Sequence, residues 1–131
     1  MFENLDILRQ AQAMARHAGA RQTSIAKNIA NADTPGYRPT DIAPFTDAYR
    51  AAESGNDMRQ TRAGHIGPGG ASLALTEQLT RPIPGATSPN GNGVSIEAEM
   101  VKSAEVRHQH DMALSIYQSA VGILRTSLGR R

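Results

Sequence analysis

The N-terminal part of the chain carries apolar residues at alternating spacings of three and four. With Gln22 at the one skipped position, these residues are Leu5, Leu8, Ala11, Ala15, Ala18, Ile25, Ile29 and Ala32. Such spacing places the side chains on one face of an α-helix. Asn4 can cap the first turn, and the pattern predicts a long helix within residues 1–33. Most of this stripe is alanine, which buries little area, so the helix needs a partner to be stable.

The C-terminal part follows the same design. Ser95 is a suitable N-cap, and Glu97 and Glu99 follow it in the first turn. A second stripe then runs through Met100, Ala104, Arg107, Asp111, Leu114, Tyr117, Val121, Leu124 and Leu128. We predict a helix within residues 95–131 that pairs with the first helix as a coiled-coil-like hairpin, because both stripes alternate spacings of three and four. A two-helix hairpin that completes a small globular fold is the alternative.

The middle of the chain, residues 34–94, holds all seven prolines and nine of the twelve glycines. These residues break regular structure, so this segment is predicted to be irregular and the fold to be mainly α. Pro35 and Gly36 predict a type II turn with a positive φ at the glycine. Three β-prone pieces, 42–45, 71–75 and 78–83, are candidates for short strands, and residues 84–93 have the composition of a flexible linker.

Bulky apolar residues are scarce. Leu, Ile, Val and Phe together make up 23 of 131 residues, below the share of about 20% that usually supports a packed core. We therefore expect the terminal helices to be incompletely ordered in the isolated monomer and to be completed by partner molecules. No apolar run is long enough to span a bilayer, and the first residues do not have the pattern of a cleaved secretion signal.

No catalytic, cofactor-binding or metal-binding constellation is recognisable. The chain has no cysteine, and His108 and His110 are two residues apart, a spacing that points their rings to different sides of a helix. Basic residues number 14 against 12 acidic ones, and the arginines are scattered. A small basic helical nucleic-acid-binding protein is nevertheless kept as the alternative function, because the balance is basic.

A family resemblance lies at the end of the first predicted helix. Residues 28–38 resemble the signature N-x-A-N-x-x-T-P-G-Y-[KR] of bacterial flagellar rod and hook axial proteins, and the residues that match it are Asn28, Ala30, Asn31, Thr34, Pro35, Gly36, Tyr37 and Arg38. Residues 93–100, together with Asp41, Ile42, Phe45, Thr61, His65 and Ile66, are similar to the proximal rod proteins of FlgB type within that family. The sequence departs from the pattern at Ser95, where aspartate is usual, and at Val106, Arg107 and His110.

The resemblance implies a non-enzymatic structural subunit of the proximal rod in the flagellar basal body. Such a subunit would assemble through its terminal helices into the tubular driveshaft that transmits torque and continues the export channel. Its partners would be other rod proteins, copies of itself, the junction of the basal-body ring with the export gate, and the flagellar type III export apparatus. Its location would be the periplasmic rod, reached without a cleaved signal peptide. The assembly interface would consist of the two stripes, namely Leu5, Leu8, Ala11, Ala15, Ala18, Ile25 and Ile29 on the first helix and Met100, Ala104, Leu114, Tyr117, Val121, Leu124 and Leu128 on the second.

Overall fold

A computed structural model describes residues 2–55, 80–83 and 88–129 of the chain. Its elements in chain order are helix α1 (Phe2–Ala30), strand β1 (Thr40–Ile42), helix α2 (Phe45–Gly55), strand β2 (Thr80–Pro82) and helix α3 (Ile96–Ser127). The prediction of a mainly α fold with two long terminal helices is confirmed. The candidate strand at 71–75 lies outside the described residues.

Helices α1 and α3 pack against each other as an antiparallel hairpin. Ala18 and Ile25 of α1 form a buried cluster with Val106 of α3. Nearer the end of α1, Asn28 Nδ2 donates to Glu99 Oε2 at 3.0 Å. Because residue numbers rise along α1 while those of their partners fall along α3, the two helices run in opposite directions. The predicted pairing of the terminal helices is confirmed.

The buried residues of the hairpin recur every seven positions. The apolar ones are Ala11, Ala18 and Ile25 on α1 and Val106, Ala113 and Ala120 on α3, and we call these six residues the seam. Glu99, one heptad before Val106, is buried in line with them. A seven-residue repeat is the pattern of coiled-coil packing, and the alanines allow the two helices to approach closely. The stripe predicted on α1 therefore contains the buried apolar residues Ala11, Ala18 and Ile25, but not the buried polar residues His17, Ser24 and Asn28.

The face of α3 that packs on α1 was predicted wrongly. Met100, Leu114 and Leu128, which belong to the predicted stripe, are exposed. Each follows a seam residue or its heptad equivalent by one position, so it lies about 100° further around the helix. The small side chains of Ala113 and Ala120 are buried instead.

The ends of the helices follow the predicted local signals. Ser95 caps α3, its side chain accepting from the Ala98 backbone N–H. Beyond α1, Tyr37 N donates to the Thr34 carbonyl at 3.3 Å, and Gly36 has a φ of +72°. The positive φ predicted at this turn is confirmed.

The described parts of the middle segment are more regular than predicted. Strands β1 and β2 pair antiparallel, with Thr40 opposite Pro82 and Ile42 opposite Thr80, so the candidate strand at 78–83 is confirmed in part. The candidate strand at 42–45 is wrong beyond Ile42, because Pro44 has no N–H for a strand ladder and its carbonyl instead accepts the first hydrogen bonds of α2. Helix α2 itself was not predicted.

Residues 88–93 form a turn instead of the expected flexible linker. Ser88 N donates to the Asn92 carbonyl at 2.8 Å, and Gly91 N donates back to the Ser88 carbonyl at 2.8 Å. This turn places the start of α3 beside the end of α1. Within the part of the chain that the structure describes, no helix has the length and apolar character needed to cross a membrane.

Candidate assembly surface and polar junction

The closed end of the hairpin is held by a buried polar cluster made of Asn28, Tyr37, Thr40, Asn92 and Glu99, which we call the polar junction. Asn28 is fully buried. Its Nδ2 donates to the Thr40 carbonyl at 2.9 Å and to Glu99 Oε2 at 3.0 Å, while its Oδ1 accepts from Thr40 N at 3.1 Å and from Tyr37 Oη at 3.3 Å. One side chain therefore ties α1 to the signature turn, to β1 and to α3.

Glu99 places a carboxylate inside the hairpin. Glu99 is only 3% exposed. Besides the hydrogen bond from Asn28, its Oε1 accepts a hydrogen bond from Lys102 Nζ at 2.7 Å. Burying a charged group is costly unless it is paired and hydrogen-bonded. Both carboxylate oxygens have such a partner, so the charge is accommodated in this arrangement of the two helices.

Asn92 binds the turn that follows α1, although it lies about 60 residues later in the chain. Its Nδ2 donates to the carbonyls of Asn31 and Thr34 at 3.0 and 2.9 Å and also contacts the Ala32 carbonyl. Its Oδ1 accepts from Val94 N at 2.7 Å. These carbonyls belong to the turn that follows α1, so the segment that leads into α3 holds this turn in place.

The two turns of the junction also meet through their backbones. Gly36 N donates to the Asn90 carbonyl at 3.2 Å, and Gly93 N donates to the Tyr37 carbonyl at 3.1 Å. A Cβ atom at Gly93 would lie 3.1 Å from Cδ of Pro39, so a side chain there would press on the proline ring. The close approach explains why glycine suits this position.

A second set of contacts fixes β1 and the start of α2 to the middle of α1. Arg21 forms a bidentate ion pair with Asp41, its Nε and Nη2 each 2.9 Å from a carboxylate oxygen. Burial of Asp41 acts to raise its pKa, but the hydrogen bonds and charge of Arg21, together with the Ile42 backbone N–H, outweigh it and hold the pKa below the ordinary value. The hydrogen bond to Asp41 raises the pKa of Arg21.

His17 lies buried next to this ion pair. Its Nε2 donates to the Ala43 carbonyl at 2.8 Å, and its ring packs edge-on against Phe45 with the ring centroids 5.6 Å apart. Burial lowers the pKa of His17, and the positive charge of Arg21 acts in the same direction against the opposing Ala43 hydrogen bond. The imidazole is thus a neutral packing and donor group at neutral pH.

The structure divides the predicted signature residues into three groups. Asn28 and Tyr37 belong to the polar junction, and the Gly36 backbone N–H bonds the Asn90 carbonyl beside it. Asn31 and Thr34 make local bonds at the helix end, Asn31 Nδ2 to the Lys27 carbonyl and Thr34 Oγ1 to Asn31 Oδ1. The remaining signature residues, Ala30, Pro35 and Arg38, are exposed.

Three junction residues lie outside the predicted signature: Thr40, Asn92 and Glu99. The Asn-Gly-Asn-Gly run at 90–93 was predicted to be part of a flexible linker, so the contacts of the Asn92 side chain with the turn after α1 were not predicted.

An exposed apolar surface runs along α3, and it consists of Met100, Leu114, Tyr117 and Leu128, which we call the α3 stripe. Their exposed fractions are 61%, 42%, 44% and 71%. The predicted neighbours Val121 and Leu124 are half-buried where the stripe borders α1, and Ala104 is exposed. Val101 is 70% exposed but lies about 100° beyond Met100, off the stripe.

The α1 part of the predicted interface is largely occupied by the hairpin. Ala11, Ala18 and Ile25 belong to the seam, Leu8 and Ala15 are half-buried, and Ile29 is 36% exposed. The side chain of Leu5 lies outside the described part of the chain. Among the described residues, no three histidine, aspartate or glutamate side chains converge as metal ligands would.

Comparison with known proteins gives relatives that span nearly the whole chain. The flagellar basal body rod protein FlgB of Escherichia coli is 34% identical over 122 residues, which cover 88% of this chain and 88% of the relative. The chain belongs to the FlgB family of flagellar basal body rod proteins. FlgB of Salmonella typhimurium is 30% identical over 126 residues, or 91% of each chain, and FlgB of Agrobacterium fabrum is 29% identical over 120 residues. No model of a protein family matches the sequence.

Membership of the FlgB family confirms the resemblance drawn from the signature. The matches to the relatives from E. coli, S. typhimurium and A. fabrum cover about nine-tenths of the chain, so they include most of both long helices and not the signature alone. FlgB proteins are structural components of the flagellar basal-body rod, and the architecture described above is therefore that of a rod subunit.

Proposed function

We propose that this FlgB-family chain is a non-enzymatic rod subunit that joins its neighbours through the α3 stripe. The observation that carries the proposal is that the hairpin buries small residues, Ala113 and Ala120, while larger ones, Met100 and Leu128, are exposed by more than half. Apolar side chains that lie together on one side of a helix favour contact with another apolar surface. Neighbouring rod subunits, including copies of the chain itself, would supply that surface.

Contacts of this kind can build a tube. If the stripe of one subunit packs against a different face of the next, the contact is head-to-tail, and repeating it produces an open helical assembly. The terminal helices would then form the wall of the rod, continue the export channel and carry torque through many packed helices. The polar junction would keep the two helices of each subunit in one alignment under that load.

The same composition suits export through a narrow channel. A chain with few bulky apolar residues is weakly held in its folded form, which favours passage in an unfolded state by the flagellar type III export apparatus without a cleaved signal. Order would be gained at the growing rod in the periplasm, next to the junction of the basal-body ring and the export gate. The nucleic-acid-binding alternative is not supported by a specific observation, because Arg9 and Arg21 both lie beside carboxylates and not in a basic cluster.

Photo-cross-linking in assembled basal bodies tests the proposal. A photoreactive amino acid is placed at Leu114 on the α3 stripe or at Val101, which is equally apolar and more exposed but off the stripe. We expect basal bodies to contain the chain, and position 114 to give adducts with a second copy or another rod protein more than position 101 does. Absence of the chain from basal bodies, or equal adducts from both positions, would contradict the proposal.

A further inference from the structure

The seam between α1 and α3 does not by itself define how the two helices align. Its residues recur every seven positions on both helices, and most of them are alanine. Sliding α3 along α1 by seven residues moves it by about 10 Å and again places small apolar residues opposite each other. A repetitive seam of this kind specifies register weakly.

Chain connectivity does not prevent such a slip. Thirteen residues, 83–95, separate the end of β2 from the start of α3. An extended chain of that length spans about 40 Å, much more than one heptad requires. The turn at 88–93 would have to leave the end of α1, and the cost of that step depends on the contacts of the polar junction.

The polar junction, unlike the seam, occurs once along the hairpin. In either direction a slip of seven residues separates Asn28 from Glu99, which are joined at 3.0 Å, and withdraws Asn92 from the carbonyls that it binds. In one direction Asn28 would face Val106, a side chain that cannot accept its hydrogen bond. Every shifted register therefore leaves buried polar groups without partners, and such groups are costly.

We propose that the polar junction, and not the apolar seam, selects the register in which α1 and α3 pair. The seam contributes nearly the same packing free energy in several registers. Asn28, Asn92 and Glu99 have hydrogen-bond partners in one register, and their loss destabilises all the others. A fixed register also sets the position of the α3 stripe along the hairpin relative to the turn at residues 34–37. If the stripe joins neighbouring subunits as proposed above, the junction gives every copy the same interface.

Cross-linking between introduced cysteines measures the register directly, since the chain has no cysteine of its own. Gln22 and Ser103 lie opposite each other, Gln22 Nε2 donating to Ser103 Oγ at 2.9 Å. Cysteines at 22 and 103 report the observed register, and cysteines at 22 and 110 report a slip of one heptad. A short thiol-specific cross-linker is applied at low protein concentration, and the product within one chain is quantified by mass spectrometry.

The test compares the starting chain with three variants in both cysteine backgrounds. The starting chain is expected to give the 22–103 product in large excess. In the double variant Asn92→Ala with Glu99→Ala, the ratio of the 22–110 to the 22–103 product should rise at least about tenfold, the effect of losing one hydrogen bond to a charged group. Glu99→Leu, which extends the seam with an apolar side chain, should retain helicity and also raise the ratio.

Glu105→Ala is the matched control, because Glu105 is exposed on the same helix, lies outside the polar junction and accepts a hydrogen bond from Gln109 within α3. The product ratio of this variant should not change. The proposal is overturned if the junction variants stay helical and keep the starting ratio, since the seam would then set the register. It is equally overturned if the starting chain has no preferred product. Loss of helicity in both junction variants would also overturn it, because the junction would then hold the hairpin together and not choose between registers. None of these outcomes depends on rod assembly, so they are separable from the proposed function.

Discussion

Replacing the exposed apolar residues of the α3 stripe by serine should weaken assembly and leave the monomer intact. Met100, Leu114 and Leu128 are 61%, 42% and 71% exposed. Complete burial of such a side chain is worth about 1.5–3 kcal/mol, so covering the exposed fraction of Leu114 contributes about 1 kcal/mol and that of Leu128 about 1.5 kcal/mol. With Met100 included, the three side chains together contribute about 3 kcal/mol per contact if a neighbour covers most of the stripe.

This free energy corresponds to a loss of about 100-fold in the association constant for the triple variant, because 1.4 kcal/mol is a factor of ten. The assay is sedimentation velocity over a range of concentrations, with the concentration at which oligomers appear as the readout. Circular dichroism of the dilute protein provides the control for folding. The helical signal should not fall, because the three side chains contribute little to packing within the monomer.

Val101→Ser is the matched control on the other side of α3. Val101 is 70% exposed, and its loss removes a comparable apolar area without touching the stripe. The reasoning is refuted if the triple variant oligomerises at the same concentration as the starting chain, or if Val101→Ser weakens assembly as much as Leu128→Ser does.

Three further predictions concern the contacts that hold the middle segment to α1. A double-mutant cycle of Arg21→Ala and Asp41→Asn should give a coupling free energy of about 2 kcal/mol in urea unfolding at pH 7. The coupling should disappear when the pH falls below the depressed pKa of Asp41, and a coupling that does not change with pH would contradict an ion pair between the two residues. Burial depresses the pKa of His17, so the stabilisation that neutral His17 gives the folded state is fully present above pH about 6.5 and is lost as the pH falls through the folded-state pKa. His17→Gln should flatten this pH dependence of the unfolding free energy, and an unchanged slope between pH 5 and 7 would refute this. Gly36→Ala should cost about 1 kcal/mol of unfolding free energy through its φ of +72°, with Gly19→Ala, inside α1, as the control that does not destabilise.

Local signals in the sequence were enough to place the two long helices and the turn after the first. Ser95 marked the start of α3 to the residue, and Pro35 followed by Gly36 marked a turn with positive φ. These features depend on residues within a few positions of each other. Caps, prolines and glycines act on the backbone next to them, so their effect can be inferred without the rest of the fold.

Features that depend on distant residues were not predictable in the same way. Hydrophobic spacing alone favoured Leu114 and Val121 for the buried face of α3, but the smaller Ala113 and Ala120, each one position earlier, are the buried residues. The buried carboxylate of Glu99 was interpreted as a favourable first-turn charge, since its partner Asn28 is 71 residues away in sequence. Asn92 was assigned to a linker for the same reason.

The arrangement of side-chain size on α3 separates the two interpretations of the hairpin left open by the sequence. A hairpin that completes a small globule would turn its largest apolar residues inward, because they contribute most to stability. Here four of the six seam residues are alanine, while Met100, Tyr117 and Leu128 are exposed. Stability available from neighbours should therefore exceed that available within one chain, and the helical signal should rise with protein concentration in step with oligomerisation. A helical content that is already complete in a dilute monomer, with a sharp thermal transition independent of concentration, would instead favour the globular hairpin.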